Sequence, residues 1–112
     1  MKTVHPVTDR LEPEPLDPEQ VLFGNPKTSS LTLAEDGDGA ESGLWRCTPG
    51  VVSDTEVEES FLVITGRGSV EFEDGSTIEL RPGVTHRFAG GEKTKWTVEE
   101  TVLKAYWIAG QV

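Results

Sequence analysis

Two runs of alternating polar and apolar residues, Ser69-Val70-Glu71-Phe72-Glu73 and Ser76-Thr77-Ile78-Glu79-Leu80, are separated only by Asp74-Gly75. An Asp-Gly pair between alternating arms specifies a tight hairpin, because the turn needs backbone angles that glycine and aspartate tolerate and most residues do not. The same period of two governs the chain from Leu31 onward. Leu31 and Leu33 alternate with polar neighbours, and Leu44-Trp45-Arg46-Cys47 reads as a short strand closed by Thr48-Pro49-Gly50. Phe61-Leu62-Val63-Ile64 is a continuous apolar run, as expected of a strand buried on both faces. Gly66-Arg67-Gly68 reads as hairpin geometry, since the strand-to-helix context of a phosphate loop is lacking. Thr85-His86-Arg87-Phe88, Trp96-Thr97-Val98 and Val102 to Ile108 follow, with turn signals at Arg81-Pro82-Gly83, Gly90-Gly91 and Glu99-Glu100. No amphipathic helix is apparent. About eight short strands predict an all-β fold, a small barrel or double-sheet jelly roll, and 112 residues leave room for one such domain.

Residues 1–26 are of another kind. Five of the seven prolines, Pro6, Pro13, Pro15, Pro18 and Pro26, fall there among Glu and Asp, a spacing that forbids a helix and disfavours a central strand. They predict an N-terminal arm, poorly ordered or strap-like over residues 1–20, leading into a barrel domain of residues 27–112. Val21-Leu22-Phe23 is a small apolar cluster suited to pinning the arm to the body. Glu35-Asp36-Gly37-Asp38-Gly39 reads as a turn, because a calcium loop would need more ligands at the right spacing and flanking helices.

Twenty acidic against ten basic residues give a net charge of -10. No Lys/Arg cluster offsets that field, which repels phosphate backbones and argues against nucleic acid as a partner. It favours neutral or cationic ligands wherever no local lysine or arginine reverses it. No apolar run approaches the ~20 residues of a membrane-spanning helix, the N-terminus lacks a signal-like apolar core, and the single Cys47 forms no intrachain disulfide. These features predict a soluble cytoplasmic protein with no membrane partner.

Glu59-Ser60-Phe61-Leu62-Val63-Ile64-Thr65-Gly66, followed by the hairpin and Leu80-Arg81-Pro82-Gly83, resembles the first motif and inter-motif turn of the cupin superfamily. Phe88-Ala89-Gly90-Gly91, Trp96-Thr97-Val98-Glu99-Glu100-Thr101-Val102 and Lys104-Ala105-Tyr106 are similar to the C-terminal signature of small single-domain cupins related to the (S)-ureidoglycine aminohydrolase cupin domain. Gly43 to Gly50 and Val21 to Pro26 fit the same group. The resemblance implies a cupin β-barrel. Many cupins hold a divalent metal with His-x-His, a glutamate and a later histidine. Those positions fall here at Ser53, Thr55, Glu59 and Thr94, so one ligand of four remains and neither a metal nor another cofactor is expected. Val84 also replaces the usual aspartate after Gly83, and Ala89 the usual proline before the glycine turn.

His86 is the only histidine of the barrel segment. It shares a strand face with Phe88 and, if that face points inward, is either a core or rim histidine or a general acid or base, imidazole alone titrating near neutral pH. Alternation places Val102, Lys104, Tyr106 and Ile108 on one face of the last strand. A Glu59–Lys104 pair inside the barrel with Tyr106 hydrogen-bonding nearby is the sharper expectation; the plainer one is that the trio only stabilises the barrel. Within Glu56-Val57-Glu58-Glu59, Glu59 is expected inward and Glu56 and Glu58 exposed. Trp45 and Trp96 suit a pocket mouth, Phe61 and Phe88 an apolar wall, and whichever of Arg46 and Cys47 faces inward is a contact candidate.

The catalytic candidates are thus His86, Lys104 and Glu59, and the ligand-contact candidates Trp45, Arg46, Cys47, Phe61, Phe88, Trp96 and Tyr106. Two readings stay open. One is a barrel that binds a small polar metabolite, ureide-like or carboxylate, with metal-free acid–base chemistry. The other is a non-catalytic sensor or accessory subunit. A metal-dependent hydrolase with unusual ligands is disfavoured by Ser53, Thr55 and Thr94. Cupins of this size commonly pair, which implies a homodimer with the arm across the partner.

Overall fold

The computed structural model describes residues 6–110, which form one curled antiparallel sheet of nine strands. The strands are β1 (Glu12–Pro13), β2 (Val21–Gly24), β3 (Thr28–Glu35), β4 (Glu41–Cys47), β5 (Gly50–Thr55), β6 (Glu58–Phe72), β7 (Thr77–Leu80), β8 (Thr85–Ala89) and β9 (Lys93–Ile108). Two 3-10 turns, Val7–Arg10 and Pro18–Gln20, are the only helical elements among the described residues, and neither is long and apolar enough to cross a membrane. The hairpin expected at Asp74-Gly75 is there, but its loop is one residue longer than a two-residue turn: Glu73 joins the turn, Gly75 at φ 86° donates its N–H to the Phe72 carbonyl, and Val70 lies opposite Ile78.

β6 and β9 run further than the local signals predict, and their pairing organises the barrel. Glu99-Glu100 is no turn: β9 passes straight through both residues, with β5 beside its first half and β4 beside its second. Gly66-Arg67-Gly68 is no hairpin either. It lies within β6, where the register against β9 shifts at Thr65, Arg67 and Gly68. Gly66 sits at φ 105°, and a Cβ there would stand 2.3 Å from the Thr101 carbonyl oxygen. The glycine lets two long strands bend against each other while staying paired.

Phe61 to Ile64 is buried on one face only. Phe61 and Val63 point into the barrel, whereas Leu62 and Ile64 lie on an exposed outer face with Trp107. Phe61, Val63, Val70, Phe88, Trp96 and Val102 form the middle of the core. Phe61 and Phe88 are fully enclosed with ring centroids 5.5 Å apart, each burial contributing about 1.5–3 kcal/mol.

Residues 6–26 lie on this sheet. β1 pairs with β3 through Glu12 opposite Ser30, and β2 pairs with β5 through Gly24 opposite Gly50, so the two segments occupy opposite ends of the strand order β1-β3-β4-β9-β5-β2. Pro13 is tolerated because an edge strand leaves one side of its backbone unpaired. Val21-Leu22-Phe23 is held by backbone pairing rather than by apolar side chains, as Phe23 is 73% exposed. Between the two strands, Leu16 packs against the core, Asp17 caps the second 3-10 turn, and Gln20 Nε2 donates to the Ser53 carbonyl at 3.1 Å. Residues 1–5 of the expected arm, and residues 111–112, lie outside the described residues.

Candidate functional site

Strand alternation turns Lys104 and Tyr106 of β9 into the barrel. Trp45 of β4 lies opposite Lys104, and Gly43 opposite Tyr106; on the other side, Val63 and Phe61 of β6 take the same positions. Lys104 is buried, and its Nζ donates to Glu59 Oε2 at 2.8 Å. The ammonium also stands 4.9 Å from the ring centroids of both Trp45 and Trp96 and 5.2 Å from that of Phe61. One carboxylate and three aromatic faces thus replace its water. Gly43 makes room for the phenol, since a Cβ there would lie 2.7 Å from the Tyr106 hydroxyl. That hydroxyl donates to Glu41 rather than to the Glu59–Lys104 pair. Burial, and then the neighbouring Glu41, push the phenol above its ordinary range.

Glu59, Lys104, Trp45, Trp96 and Tyr106 all line one cavity of about 340 Å³, covered in part by Pro15, Leu16 and Gln20 of the N-terminal segment. Asp54 and Glu56 stand in the same wall. Glu56 is not exposed as expected: it is 6% accessible, because the Glu56-Val57 connection between β5 and β6 resets the alternation that Glu59 follows. Its Oε2 accepts from Thr94 Oγ1 at 2.6 Å and Trp96 Nε1 at 2.9 Å. Burial raises the Glu56 carboxyl above its usual range, opposed by those two hydrogen bonds. Asp54 is raised by burial too, against the backbone N–H that Thr55 donates to it. The signal for Glu56 was its place in a short acidic connection directly after a strand.

The remaining candidates stand elsewhere. His86 is half-buried on β8 against Phe88, Phe72 and Phe61, at centroid distances of 5.1, 5.7 and 6.2 Å. It lines a separate hollow with Ile78 and Glu92, so the structure does not bring it to Glu59 and Lys104. Cys47 faces inward but is sealed in the core, its thiol pushed up by burial to about 11. Arg46 faces the opposite way, into a groove with Lys27 and prolines of the N-terminal segment. Phe61 and Phe88 pack as core and do not line the cavity.

The metal implied by the cupin resemblance does not fit these residues. Ser53, Thr55 and Glu59 line the cavity wall, and the Thr94 hydroxyl is bonded to Glu56. Among the described residues no three His, Cys, Asp or Glu side chains converge to hold a metal ion.

Residues 34–106 match the EutQ-like cupin domain. No curated protein matches the chain in sequence. Among solved structures, a protein of unknown function from Pseudomonas syringae pv. tomato matches with a TM-score of 0.79 at 31% identity, over 88% of this chain and 44% of that one. The chain therefore spans less than half the length of that relative. Ectoine synthase from P. lautus matches with a TM-score of 0.68 at 18% identity, over 95% of this chain and 76% of that one. A putative ethanolamine utilization protein Q from Salmonella typhimurium gives 0.62 at 18% identity, over 72% and 68%. At such identities the last two establish a shared fold and no shared chemistry.

Proposed function

The chain belongs to the EutQ-like cupin domain family, and from that premise we propose that it binds a small polar metabolite in the cavity lined by Glu59, Lys104, Trp45, Trp96 and Tyr106, without a metal centre. One observation carries the reading. A buried ion pair, Lys104–Glu59, is set into the wall of a cavity of about 340 Å³ and not into solid core. Buried pairs contribute little net stability against apolar packing of the same volume, whereas a few convergent polar groups in a concave, partly aromatic wall are what a ligand site requires. The reading favours binding over turnover. Lys104 is committed to Glu59 and three rings, and His86 lies at another hollow, so the acid–base groups expected from sequence are not assembled. It does not extend to hydrolysis of the ureidoglycine aminohydrolase kind, which would need the ligands replaced by Ser53, Thr55 and Thr94.

The test is a thermal-shift screen of small polar metabolites, cationic, neutral and anionic, followed by calorimetry on each hit. A ligand that binds the folded and not the unfolded chain raises the melting temperature with its concentration. The expected result is at least one saturable binder whose heat is lost in a Lys104→Met/Glu59→Leu variant that still folds. A screen in which no compound shifts the wild type, or a binder indifferent to that variant, overturns the reading.

A further inference from the structure

We infer that the molecule bound in this cavity carries a cationic nitrogen, an ammonium or guanidinium, and that Glu56, with Asp54 beside it, receives it. The inference rests on the cavity being the binding site and adds the chemistry of the ligand. Five carboxylates, Glu14, Glu41, Asp54, Glu56 and Glu59, line the cavity against one cation, Lys104. Lys104 is matched by Glu59, and Glu41 accepts from Tyr106. Glu14, Asp54 and Glu56 make no ion pair among the described residues.

Glu56 is the telling group. It is more than nine-tenths buried, and its Oε2 takes both side-chain hydrogen bonds, from Thr94 and Trp96. No donor reaches its Oε1 among the described residues, where no fully enclosed side-chain oxygen or nitrogen lacks a partner. That oxygen is therefore not fully enclosed, and the cavity is the hollow that Glu56 lines. An acceptor held there without a donor, in the field of two further unpaired carboxylates, selects a donor that brings positive charge. An anionic ligand meets the same field as repulsion.

The cation is an organic one. A small hard ion needs six or more oxygen ligands or a tight tetrahedral set, and no three acidic, His or Cys side chains converge among the described residues. An organic nitrogen needs only one or two carboxylates and an apolar wall for the carbon attached to it. Trp45, Val52 and Leu16 supply that wall, and the Lys104 ammonium at 4.9 Å from Trp45 shows that positive charge is accommodated against it.

The experiment is ligand-observed NMR at low salt with four probes that share a four-carbon chain: butylamine, butylguanidine, butyramide and butyrate. Such small molecules bind weakly, so the readout is saturation transfer and a titrated Kd. The expected result is binding by butylamine or butylguanidine alone, weakened about tenfold or more in Glu56→Gln, the loss of one charge-assisted hydrogen bond. Asp54→Asn, at an exposed position on the cavity wall, weakens it in the same direction but by less, and Glu79→Gln on β7 leaves it unchanged. Binding by butyrate or butyramide equal to that of the cations overturns the charge assignment while leaving the cavity as a binding site. Cation binding unchanged in both Glu56→Gln and Asp54→Asn, or no binding by either cation, also overturns it; in that last case the metabolite screen decides separately whether the cavity binds anything.

Discussion

Lys104 Nζ lies 2.8 Å from Glu59 Oε2, and both side chains are almost wholly withdrawn from water, at 7% and 11% exposure. Removing either partner strands the other. Lys104→Met and Glu59→Gln are each expected to lower the unfolding free energy by about 2–4 kcal/mol, toward the low end of the range for a broken buried pair, because the cavity lets water reach Glu59. Lys104→Met/Glu59→Leu recovers most of that loss, since it removes both charges and fills the space. Urea denaturation at constant m value measures all three. Singles that unfold at the wild-type midpoint would show that the pair does nothing for the fold.

Glu56 has the opposite effect on stability at neutral pH. Burial raises its carboxyl in the folded state above the ordinary 4.5, so between that value and the raised one the native state binds more protons than the unfolded state. The unfolding free energy contributed by Glu56 therefore rises as pH falls through that window. Glu56→Gln removes the burdened charge while keeping an oxygen for Thr94 and Trp96. The variant is expected to melt above the wild type at pH 7–8, with the difference shrinking toward pH 4.5. A difference that stays constant across the range would assign the effect to packing instead of titration.

Alternation made the Glu59–Lys104 pair legible, because a period of two puts Lys104 on the inward face of β9 whatever the barrel's other details. The Asp74-Gly75 hairpin was legible for a similarly local reason. Depth along the barrel was not. His86 and Phe88 do share a face, yet Phe61 lies opposite His86 in the β6–β8 ladder, and a register between strands far apart in sequence leaves no local mark. Glu99-Glu100 looked like a turn because two adjacent charges break a local pattern. In the structure both residues are exposed where the β6–β9 register shifts, and the ladder on either side carries β9 through them. Glu56 was missed because alternation was carried across a connection that resets it.

Gly66, like Gly68 two residues on, sits where those two long strands leave no room for a side chain. Its φ of 105° disfavours any L side chain, and a Cβ would sit 2.3 Å from the Thr101 oxygen and 2.6 Å from the Val102 Cα. Both obstacles are backbone, so neither can rotate away. Gly66→Ala is expected to cost about 3 kcal/mol or more, the sum of strain at a glycine-only conformation and the displacement of β9. Gly75→Ala, also at positive φ but with open space around it, costs less than half as much. Equal losses at the two positions would mean that conformation alone, and not the close approach, sets the requirement at Gly66.

The segment between β1 and β2 covers the cavity with few attachments, and its hold can be weakened without touching the Glu59–Lys104 pair. Leu16 packs against the core and Gln20 reaches the Ser53 carbonyl. Leu16→Ala is expected to cost about 1–2 kcal/mol, below the range for a fully buried leucine because Leu16 is only half-buried. Gln20→Ala is expected to cost about 0.5–1.5 kcal/mol. In the double variant the segment opens ahead of the barrel, in the manner of a locally unfolding unit. A glutamate-specific protease should then cut after Glu19 several-fold faster than in the wild type, Glu14 being protected by the following Pro15, while the main melting transition moves by only a few degrees. The fluorescence of Trp45 and Trp96, which line the cavity beneath the segment, should shift to the red as water enters. Unchanged cutting rates would mean that the backbone pairing of β1 and β2 holds the segment by itself.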